Sequence, residues 1–337
     1  MIDTNKQTCL ISVVVPCYNE SANILLLVSK VQEILKDYVY EIILVDDGST
    51  DESFLIYEQL SLHHVTIKYI CFSRNFGHQA ALQAGIINAI GDAIITIDAD
   101  LQQPPSLIPE MIIQWQKGAE IVEAIPIYTD SVSWFKRQSS YLFYYLLNKL
   151  TDYPVIKSAN DFRLLDRKVA NVIRGLPENH LYLRGLFSWM GFKHSYIKYD
   201  HLKRVNGDSQ YSLNKMMKLA LCGITSMSVK PLRLALIGGI IISITALCMT
   251  IWVFYVFFFT KQAVAGWAST LVSTLFLSGI QLFVTGIMGE YLGKLFIENK
   301  RRPNYIISKS NIEKRDIALT TQNTWEVIDK ESYADLL

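Results

Sequence analysis

Two aspartates separated by one residue follow a strongly apolar segment of the sequence. Asp98 and Asp100 come directly after residues 93–97, which read AIITI. Carboxylate oxygens suit Mg²⁺ and Mn²⁺, which commonly bind a few carboxylates together with substrate phosphates. Turns are also rich in aspartate, but a strand end followed by Gln102 and two prolines is a stronger context for a metal site. The spacing therefore predicts a divalent cation, Mg²⁺ or Mn²⁺, bound together with a phosphate-bearing ligand.

A second set of polar residues follows two earlier apolar segments. Asp47 lies within residues 46–51, DDGSTD, and its carboxylate could accept hydrogen bonds from a base or a ribose. Tyr18 lies within residues 16–20, PCYNE, and its ring could stack on another ring. Residues 46–49 could equally form only a β-turn, since Asp, Gly and Ser are common turn residues. The spacing alone leaves both interpretations open.

Alternating strand and helix patterns must position these residues. Apolar runs with few polar residues predict strands buried on both faces, and segments with helical periodicity lie between them. This alternation predicts an α/β domain with a parallel sheet and right-handed crossovers. Ligands of such sheets bind beyond the carboxyl ends of the strands, where the polar clusters of this sequence would meet. The predicted strands are residues 11–15, 41–45, 66–72 and 93–97, and the predicted helices are residues 24–35, a segment after residue 50, and residues 79–89.

Absent motifs and the overall charge argue against several classes of protein. The sequence has no Gly-x-Gly-x-x-Gly after its first strand and no Gly-x-x-x-x-Gly-Lys-Ser/Thr, so dinucleotide oxidoreductases and phosphate-loop ATPases are poorly supported. The formal net charge of the 337 residues is only +1, which argues against nucleic acid as the main partner. The six histidines show no HExxH spacing, so the sequence predicts no histidine-based metal site.

Two long uncharged segments follow the predicted α/β domain. Residues 234–260 and 262–289 contain no charged side chain, and each exceeds the roughly 20 helical residues that span a bilayer core. A short turn around Lys261 joins them, so they predict a hairpin of two transmembrane helices. Basic residues flank the hairpin, which by the positive-inside rule places both ends and the N-terminal domain in the cytoplasm. These flanking residues are Lys230, Arg233, Lys294, Lys300, Arg301 and Arg302.

Two further segments predict contact with the membrane surface. Residues 213–224 place apolar side chains at helical spacing, which fits a helix in the membrane interface and fits a core-packed helix almost as well. Residues 134–150 interleave aromatic and basic side chains, a composition that headgroup regions favour. The predicted domains are a cytoplasmic α/β domain at residues 1–206, juxtamembrane amphipathic helices at 207–231, transmembrane helices at 232–260 and 263–289, and a cytoplasmic C-terminal tail at 290–337.

Several of these motifs, taken in order, resemble one known family. Residues 14–20 (VVPCYNE), 45–51 (VDDGSTD) and 98–102 (DADLQ) are similar to motifs of family 2 glycosyltransferases with the GT-A fold. Within that family the chain resembles polyprenyl-phosphate glycosyltransferases, including bactoprenol glucosyltransferases and dolichol-phosphate mannose synthases. The resemblance covers nearly everything except the C-terminal tail. Supporting matches are residues 74–77 (RNFG), 160–164 (NDFRL), 204–211 (RVNGDSQY) and 289–294 (GEYLGK).

The resemblance implies roles for the residues that match its motifs. Asp161 matches the position usually proposed as the catalytic base, and Asp100 is the second residue with a predicted catalytic role. A phosphate acceptor is already nucleophilic, so Asp161 could instead orient groups, or simply pair with Arg163 or Arg167. Gln210 stands where relatives often carry a basic residue, and we exclude it from the predicted site. The remaining implied roles are nucleotide-sugar binding by Pro16, Tyr18, Glu20, Asp47 and Asp98, cation binding by Asp98, Asp100 and Gln102, and binding of acceptor or donor phosphates by Arg137, Ser140 and Arg204.

The implied reaction is an inverting transfer of a hexose from a nucleotide-sugar donor, with UDP-glucose as the first choice, to undecaprenyl phosphate. The product would be a lipid-linked sugar for cell-envelope glycans, made at the cytoplasmic face of the inner membrane. Expected partners are the donor, the polyprenyl phosphate, membrane lipid and, because relatives often assemble, a homo-oligomer. A processive polysaccharide synthase is one alternative, but it would carry a Gln-x-x-Arg-Trp segment that this sequence lacks. A non-catalytic membrane scaffold is the other.

Overall fold

The computed structural model of the chain describes residues 9–127, 161–176, 178, 183–200, 228–260, 266–312 and 324–326. These residues form two compact units. The first comprises the described residues up to 200 together with those after 300, and the second comprises the described residues between 228 and 300. The predicted phosphate-binding residues Arg137, Ser140 and Arg204 lie outside the described residues, as do the predicted membrane-surface segments 134–150 and 213–224.

The first unit is an α/β domain built around one sheet. Its first four strands alternate with helices, as the apolar periodicity predicts. The strands are β1 (Leu10–Cys17), β2 (Val39–Asp46), β3 (Ile67–Phe72), β4 (Ala93–Thr96), β5 (Ile121–Ile127), β6 (Arg163–Asp166), β7 (His194–Asp200), β8 (Tyr305–Ser310) and β9 (Thr324–Glu326). The helices are α1 (Ser21–Ile34), α2 (Ser53–His63), α3 (His78–Asn88), α4 (Ile108–Gln116), α5 (Arg167–Gly175) and α6 (Leu183–Trp189), with a short 3₁₀-helix at Pro105–Leu107 before α4.

The order of the strands brings the ends of several of them to one edge of the sheet. Within the described part of the chain the order is β7-β5-β6-β4-β1-β2-β3-β8-β9. Strands β4, β1, β2 and β3 are parallel, so their carboxyl ends lie along the same edge. Strand β6 is antiparallel to β4, with Arg163 opposite Thr96. The beginning of β6 therefore lies at the same edge as the end of β4.

Strand β1 is longer than its apolar pattern predicts. It continues through Pro16 to Cys17, whereas the sequence predicts an end at Val15. Proline removes one backbone donor from a strand, but its carbonyl oxygen can still accept. The Cys17 carbonyl beyond it accepts a hydrogen bond from the Asp47 amide at 2.9 Å. Pro16 therefore lies within the strand, next to the loop that follows it.

Helix α3 lies against the sheet with almost no space between them. Val14 of β1 is fully buried. A Cβ atom placed on Gly85 of α3 would lie only 2.1 Å from the Cγ1 atom of Val14. Nonbonded carbon atoms have their optimal separation at about 3.5–4.0 Å, so no side chain fits at position 85. Ala81 and Ala84 of the same helix are also fully buried. Small residues therefore set how closely α3 approaches the sheet.

Gly85→Ala is expected to lower the free energy of unfolding by about 1–3 kcal/mol, the usual cost of overpacking a filled core. The sign is informative, because replacing glycine by alanine inside a helix is otherwise stabilising by about 1 kcal/mol. Gly175→Ala at the end of α5 is the matched control, since a Cβ atom there meets nothing within 4 Å. Thermal unfolding of the purified full chain in detergent measures both changes. An unchanged or raised midpoint for Gly85→Ala would contradict the close packing.

Strand β8 follows the second unit in the chain but belongs to the sheet of the first. It is antiparallel to β3, and the Tyr305 ring stacks on Phe72 of β3 with centroids 4.8 Å apart. Tyr305 is 2% exposed, and the Ser73 amide donates to the Ile306 carbonyl at 2.9 Å. The short, partly polar sequence of this segment does not predict a strand. These residues form a strand because they pair with β3, although their own sequence does not favour one.

The second unit contains two long helices, α7 (Lys230–Thr260) and α8 (Trp267–Asn299). Each includes a segment long and apolar enough to cross a membrane, at Lys230–Met249 and Phe276–Asn299. No residue in the most apolar part of either segment is buried inside the unit. A helix that belonged to the core of a soluble domain would instead bury these side chains. The prediction of an α/β domain followed by two apolar helices is therefore confirmed.

Candidate active site

The loops after β1 and β2 bind each other through hydrogen bonds. The Asn19 amide donates to Ser49 Oγ at 2.9 Å, and the Thr50 amide donates to Asn19 Oδ1 at 2.9 Å. Asn19 has a positive φ of 56°, which asparagine tolerates better than most residues. Tyr18, the residue before it, is 46% exposed. This arrangement leaves the Tyr18 ring accessible to a planar ligand.

Asp47 fastens the loop after β2 to the loop after β3. Its carboxylate accepts hydrogen bonds from the Phe76 amide at 2.7 Å and from the Gly77 amide at 2.9 Å. Asp47 is 3% exposed, and burial raises the pKa of its carboxyl because these hydrogen bonds offset burial only in part. The residue predicted to bind a base or ribose therefore also fixes the backbone immediately before α3.

Gly48 lies where these two loops touch. Its φ is +71°, and a Cβ atom there would lie 2.4 Å from the Arg74 carbonyl carbon and 2.7 Å from the Asn75 nitrogen. The backbone conformation and the close approach both require glycine. The Ser49 amide and hydroxyl both donate to the Asp46 carboxylate, so hydrogen bonds within the loop also fix its shape. Such a local role is compatible with a binding role.

Asp98 is held at the end of β4 by a pair of hydrogen bonds with Gln103. The Asp98 amide donates to Gln103 Oε1 at 2.9 Å, and Gln103 Nε2 donates to Asp98 Oδ2 at 2.6 Å. Gln103 is buried, whereas the Asp98 side chain is 30% exposed. Between them, Leu101 has a positive φ of 60° although it is buried. Such a conformation costs about 1–3 kcal/mol and is found most often at functional sites.

His78, the first residue of α3, contacts two of the predicted site carboxylates. Its Nε2 atom lies 3.2 Å from Asp161 Oδ2 and 3.5 Å from Asp98 Oδ1. Gln79 donates from Nε2 to Asp161 Oδ2 at 3.3 Å. The Thr96 hydroxyl on β4 donates to the backbone carbonyl of Asp161. The beginning of α3 therefore joins the end of β4 to the residues that precede β6.

Asp161 is almost completely buried, at 4% exposure. Arg163 lies on one side of it, with Nη1 3.9 Å from Asp161 Oδ1. Arg167 instead donates to the Ala89 carbonyl at 2.9 Å. Of the two ion pairs that the sequence allows, the structure forms the one with Arg163. Because the other Asp161 oxygen faces His78, this ion pair and a role at the site can coexist.

The carboxylates after β4 fit a divalent cation when a ligand completes its coordination. Among the described residues, no group of three His, Cys, Asp or Glu side chains is placed to hold a metal ion. Asp98 and Asp100 supply two carboxylates, and Asp100 Oδ1 accepts from the Gln102 amide at 3.1 Å. Mg²⁺ in nucleotide sites typically uses one or two carboxylates together with phosphates and water. This donor set therefore fits Mg²⁺ or Mn²⁺ bound together with a diphosphate.

Three residues of the site are missing from the sequence-based prediction, namely His78, Gln79 and Gln103. The first two directly follow the RNFG motif at residues 74–77, and that adjacency is a signal that could have indicated them. Gln103 is the second of two adjacent glutamines after the aspartate pair, and the sequence favours Gln102 instead. Which of the two adjacent glutamines binds Asp98 depends on how the loop after β4 folds, and the sequence does not reveal this.

Glu20 lies on the loop between β1 and α1. Glu20 accepts a hydrogen bond from the Asn23 side chain at 2.7 Å, at the first turn of α1. The Ser21 amide donates to Asp51 Oδ2 at 3.1 Å, which links this turn to the loop after β2. The predicted site residues that the structure describes therefore lie at the end of β1 or after β1, β2 or β4, or precede β6. They are Pro16, Tyr18, Glu20, Asp47, Asp98, Asp100, Gln102 and Asp161.

Comparisons with known proteins bear on the class of this protein. Residues 12–174 match the family model for glycosyl transferase family 2. The chain is 43% identical to the uncharacterized glycosyltransferase YkcC of Bacillus subtilis (strain 168), over 89% of this chain and 93% of that protein. It is 39% identical to a prophage bactoprenol glucosyl transferase homolog of Escherichia coli (strain K12), over 89% of this chain and 98% of that protein. The SfII prophage-derived bactoprenol glucosyl transferase of Shigella flexneri is also 39% identical, with coverages of 89% and 98%.

The α/β sheet, the polar edge at its strand ends and these near full-length relatives define an enzyme: the chain is a glycosyltransferase with a GT-A catalytic domain. It belongs to glycosyl transferase family 2. The resemblance carried by residues 14–20, 45–51 and 98–102 is thereby confirmed, together with the predicted fold class. The predicted enzyme class is confirmed as well, and the alternative of a non-catalytic scaffold is set aside.

Proposed function

We propose that this enzyme transfers a hexose, with glucose as the first choice, from a UDP-linked donor to undecaprenyl phosphate. The observation that carries the proposal is the likeness to proteins named bactoprenol glucosyl transferases, which covers 98% of their length at 39% identity. Bactoprenol is undecaprenol, so by this likeness the acceptor is a polyprenyl phosphate. The two apolar helices support it, because such an acceptor resides in a membrane.

The membrane arrangement is part of the proposal. The two apolar helices, α7 and α8, cross the inner membrane as a hairpin. The basic residues that flank the hairpin place the catalytic domain in the cytoplasm. That domain comprises residues 1–206 together with strand β8, which joins its sheet after the second helix. A nucleotide-sugar made in the cytoplasm and a lipid phosphate in the inner leaflet would then meet at the same face.

The donor nucleotide would bind at the loops after β1 and β2. Tyr18 offers an exposed ring for the base, and the proposal places Pro16, Glu20 and Asp47 along the same pocket. The structure supports a preformed pocket, since hydrogen bonds already join the two loops. A pocket that need not rearrange loses less free energy on ordering when the donor binds.

The donor diphosphate would lie at the end of β4, with a divalent cation held by Asp98, Asp100 and Gln102. When bound, the cation acts as a Lewis acid that stabilises the negative charge developing on the leaving diphosphate. Gln103 donates one hydrogen bond to the Asp98 carboxylate and accepts another from the Asp98 amide. The carboxylate is therefore already oriented before the donor arrives, which is what electrostatic preorganisation requires.

The transfer forms a bond from an acceptor phosphate oxygen to the anomeric carbon and breaks the bond from that carbon to the diphosphate. Attack opposite the leaving group inverts the anomeric configuration, and UDP leaves. A phosphate monoester has a second pKa of about 6 and is mostly dianionic at neutral pH, so it needs no strong base. Asp161 would therefore orient the reacting groups, while Arg137, Ser140 and Arg204 bind the acceptor or donor phosphates.

The test uses the full chain purified in detergent with undecaprenyl phosphate and Mn²⁺ or Mg²⁺. Radiolabelled UDP-glucose, UDP-N-acetylglucosamine, UDP-galactose and GDP-mannose are supplied in turn, and the organic phase is counted. We expect label in a single lipid-linked hexose from UDP-glucose, and its loss on chelation of the metal. If label is transferred from another donor instead, the proposed reaction stands and only the proposed sugar changes.

Two outcomes would contradict the proposal. The first is the absence of lipid-linked label from every donor although the protein still binds UDP. The second is a ladder of products that grow by one sugar at a time, which would instead indicate a processive polysaccharide synthase. Omitting undecaprenyl phosphate is the matched control, because label must then stay in the aqueous phase.

A further inference from the structure

A buried arginine–glutamate pair with a partly exposed histidine beside it forms a row behind Asp161 and has no part in the proposed reaction. Arg163 on β6 and Glu123 on β5 stand opposite each other in the sheet, and each is 2% exposed. Arg163 Nε lies 3.7 Å from Glu123 Oε1. On the other side of Glu123, His194 on β7 places Nδ1 3.4 Å from the same oxygen. Contacts therefore run without a break from His194 through Glu123 and Arg163 to Asp161.

The charges in this row support one another. Burial alone would raise the pKa of Glu123, but its contact with His194 and the charge of Arg163 outweigh burial and hold the pKa of Glu123 below its ordinary value. Glu123 is therefore a carboxylate at neutral pH, and the Arg163 guanidinium is always protonated. A buried charge that loses its partner is strongly unfavourable, so each member of the row constrains its neighbours.

Arg163 acts on Asp161 through its charge and its position. Its Nη1 atom lies 3.9 Å from Asp161 Oδ1, which is longer than a hydrogen bond. Its Cζ atom also lies 4.7 Å from the centre of the buried Phe187 ring. The guanidinium is thus held between Phe187, Glu123 and Asp161, and a shift of the group would change the field at the Asp161 carboxylate.

We propose that Glu123 is a positioning residue of this enzyme. It holds the Arg163 guanidinium from behind, so that Arg163 fixes one oxygen of Asp161 while the other oxygen faces His78. Glu123 itself is too deeply buried to touch the donor or the acceptor. The inference rests on the proposed function, because it takes Asp161 to participate in the transfer.

The test is a double-mutant cycle on the full chain in detergent, with the variants Glu123→Gln, Asp161→Asn and both together. Glu123→Gln keeps the size of the side chain and removes its charge. We expect it to lower kcat by about 10- to 100-fold, the range for small misplacements of a catalytic group, with the KM for the donor within about twofold of wild type. In the Asp161→Asn background the same change should have no further effect, because Glu123 acts only through Asp161.

Glu120→Gln is the matched control, three positions earlier in the chain. The Glu120 side chain is 28% exposed and pairs with Lys168 at 3.6 Å, so its loss should leave kcat and KM unchanged. His194→Ala is a second variant in case Glu123→Gln does not fold, since it loosens Glu123 from the opposite side and leaves the buried pair intact. It should also lower kcat without raising the KM for the donor.

The outcomes separate the inference from a purely structural role. A loss of kcat of the same size in both backgrounds would overturn it, and so would an unchanged kcat or a raised KM for the donor. Thermal unfolding of the wild type and the three variants of the cycle needs neither donor nor acceptor. It should show coupling between Glu123 and Asp161. If that coupling is present and no donor is turned over, the proposed function fails while the coupling between the two residues through Arg163 stands. Independent effects on unfolding would overturn the positioning role.

Discussion

Asp98→Asn is expected to lower kcat/KM by about 10³-fold or more. The substitution keeps the shape of the side chain and removes the charge that would attract a divalent cation to the donor diphosphate. A metal that stabilises a leaving group contributes several kcal/mol to the transition state, and each 1.36 kcal/mol corresponds to about a tenfold change in rate. The measurement is the rate of label transfer to undecaprenyl phosphate, together with UDP binding in the presence of Mn²⁺.

Asp92→Asn is a matched control for this substitution. Asp92 directly precedes β4, at the end of the strand opposite Asp98, and its Oδ2 atom accepts from the Leu10 amide at 2.9 Å. Its loss could lower stability slightly but should leave kcat/KM near that of the wild type. If Asp98→Asn and Asp92→Asn had equal activities, Asp98 would have no special role in binding the cation.

Asp161→Asn is expected to lower kcat by about 10²-fold or more, with little change in the KM for the donor. Asp161 lies between Arg163 on one side and His78 and Gln79 on the other. An asparagine there would present an amide to the guanidinium and disturb the orientation of the groups around it. Misplacing reacting groups by about 1 Å can cost about 10²-fold in rate. The measurement is kcat and KM from initial rates of transfer.

The pH dependence of this variant tells whether Asp161 orients groups or removes a proton. The second pKa of the acceptor phosphate is about 6, so almost no proton remains to be removed at pH 8. If Asp161 orients the reacting groups, the loss in kcat should be equally large at pH 6.5 and pH 8. Recovery of activity at the higher pH would show that Asp161 is a general base. Thermal unfolding of the variant shows whether instability, rather than a lost role in the reaction, accounts for the lower kcat.

Local patterns predict the centre of the sheet and part of the site. Residues 41–45 lie within β2, because a run of apolar β-branched side chains is itself the signal for a buried strand. Asp98 could be predicted because it follows such a run and parallel strands end at a common edge. Tyr18 could be predicted for the same reason, and it lies exposed after β1.

Other parts of the site depend on contacts between distant segments, which no local pattern reveals. His78 begins a helix, and only the packing of α3 through Gly85 brings it to both Asp98 and Asp161. In the sequence, Glu123 resembles an ordinary charged residue of a strand. Only the pairing of β5 with β6 and β7 buries it beside Arg163 and His194. These residues are recognised from tertiary structure, because burial and charge pairing decide their roles.

The return of β8 to the sheet has a consequence for the order in which the protein is made. Residues 305–310 leave the ribosome only after both apolar helices. The edge strand β3 therefore waits for its neighbour while more than two hundred residues are added, which at about 5–20 residues per second takes roughly 10–45 s. During that time the edge of β3 is open to pairing with other chains. A fragment that stops before the helices would keep most of the site but leave this edge permanently uncovered, so we expect it to aggregate.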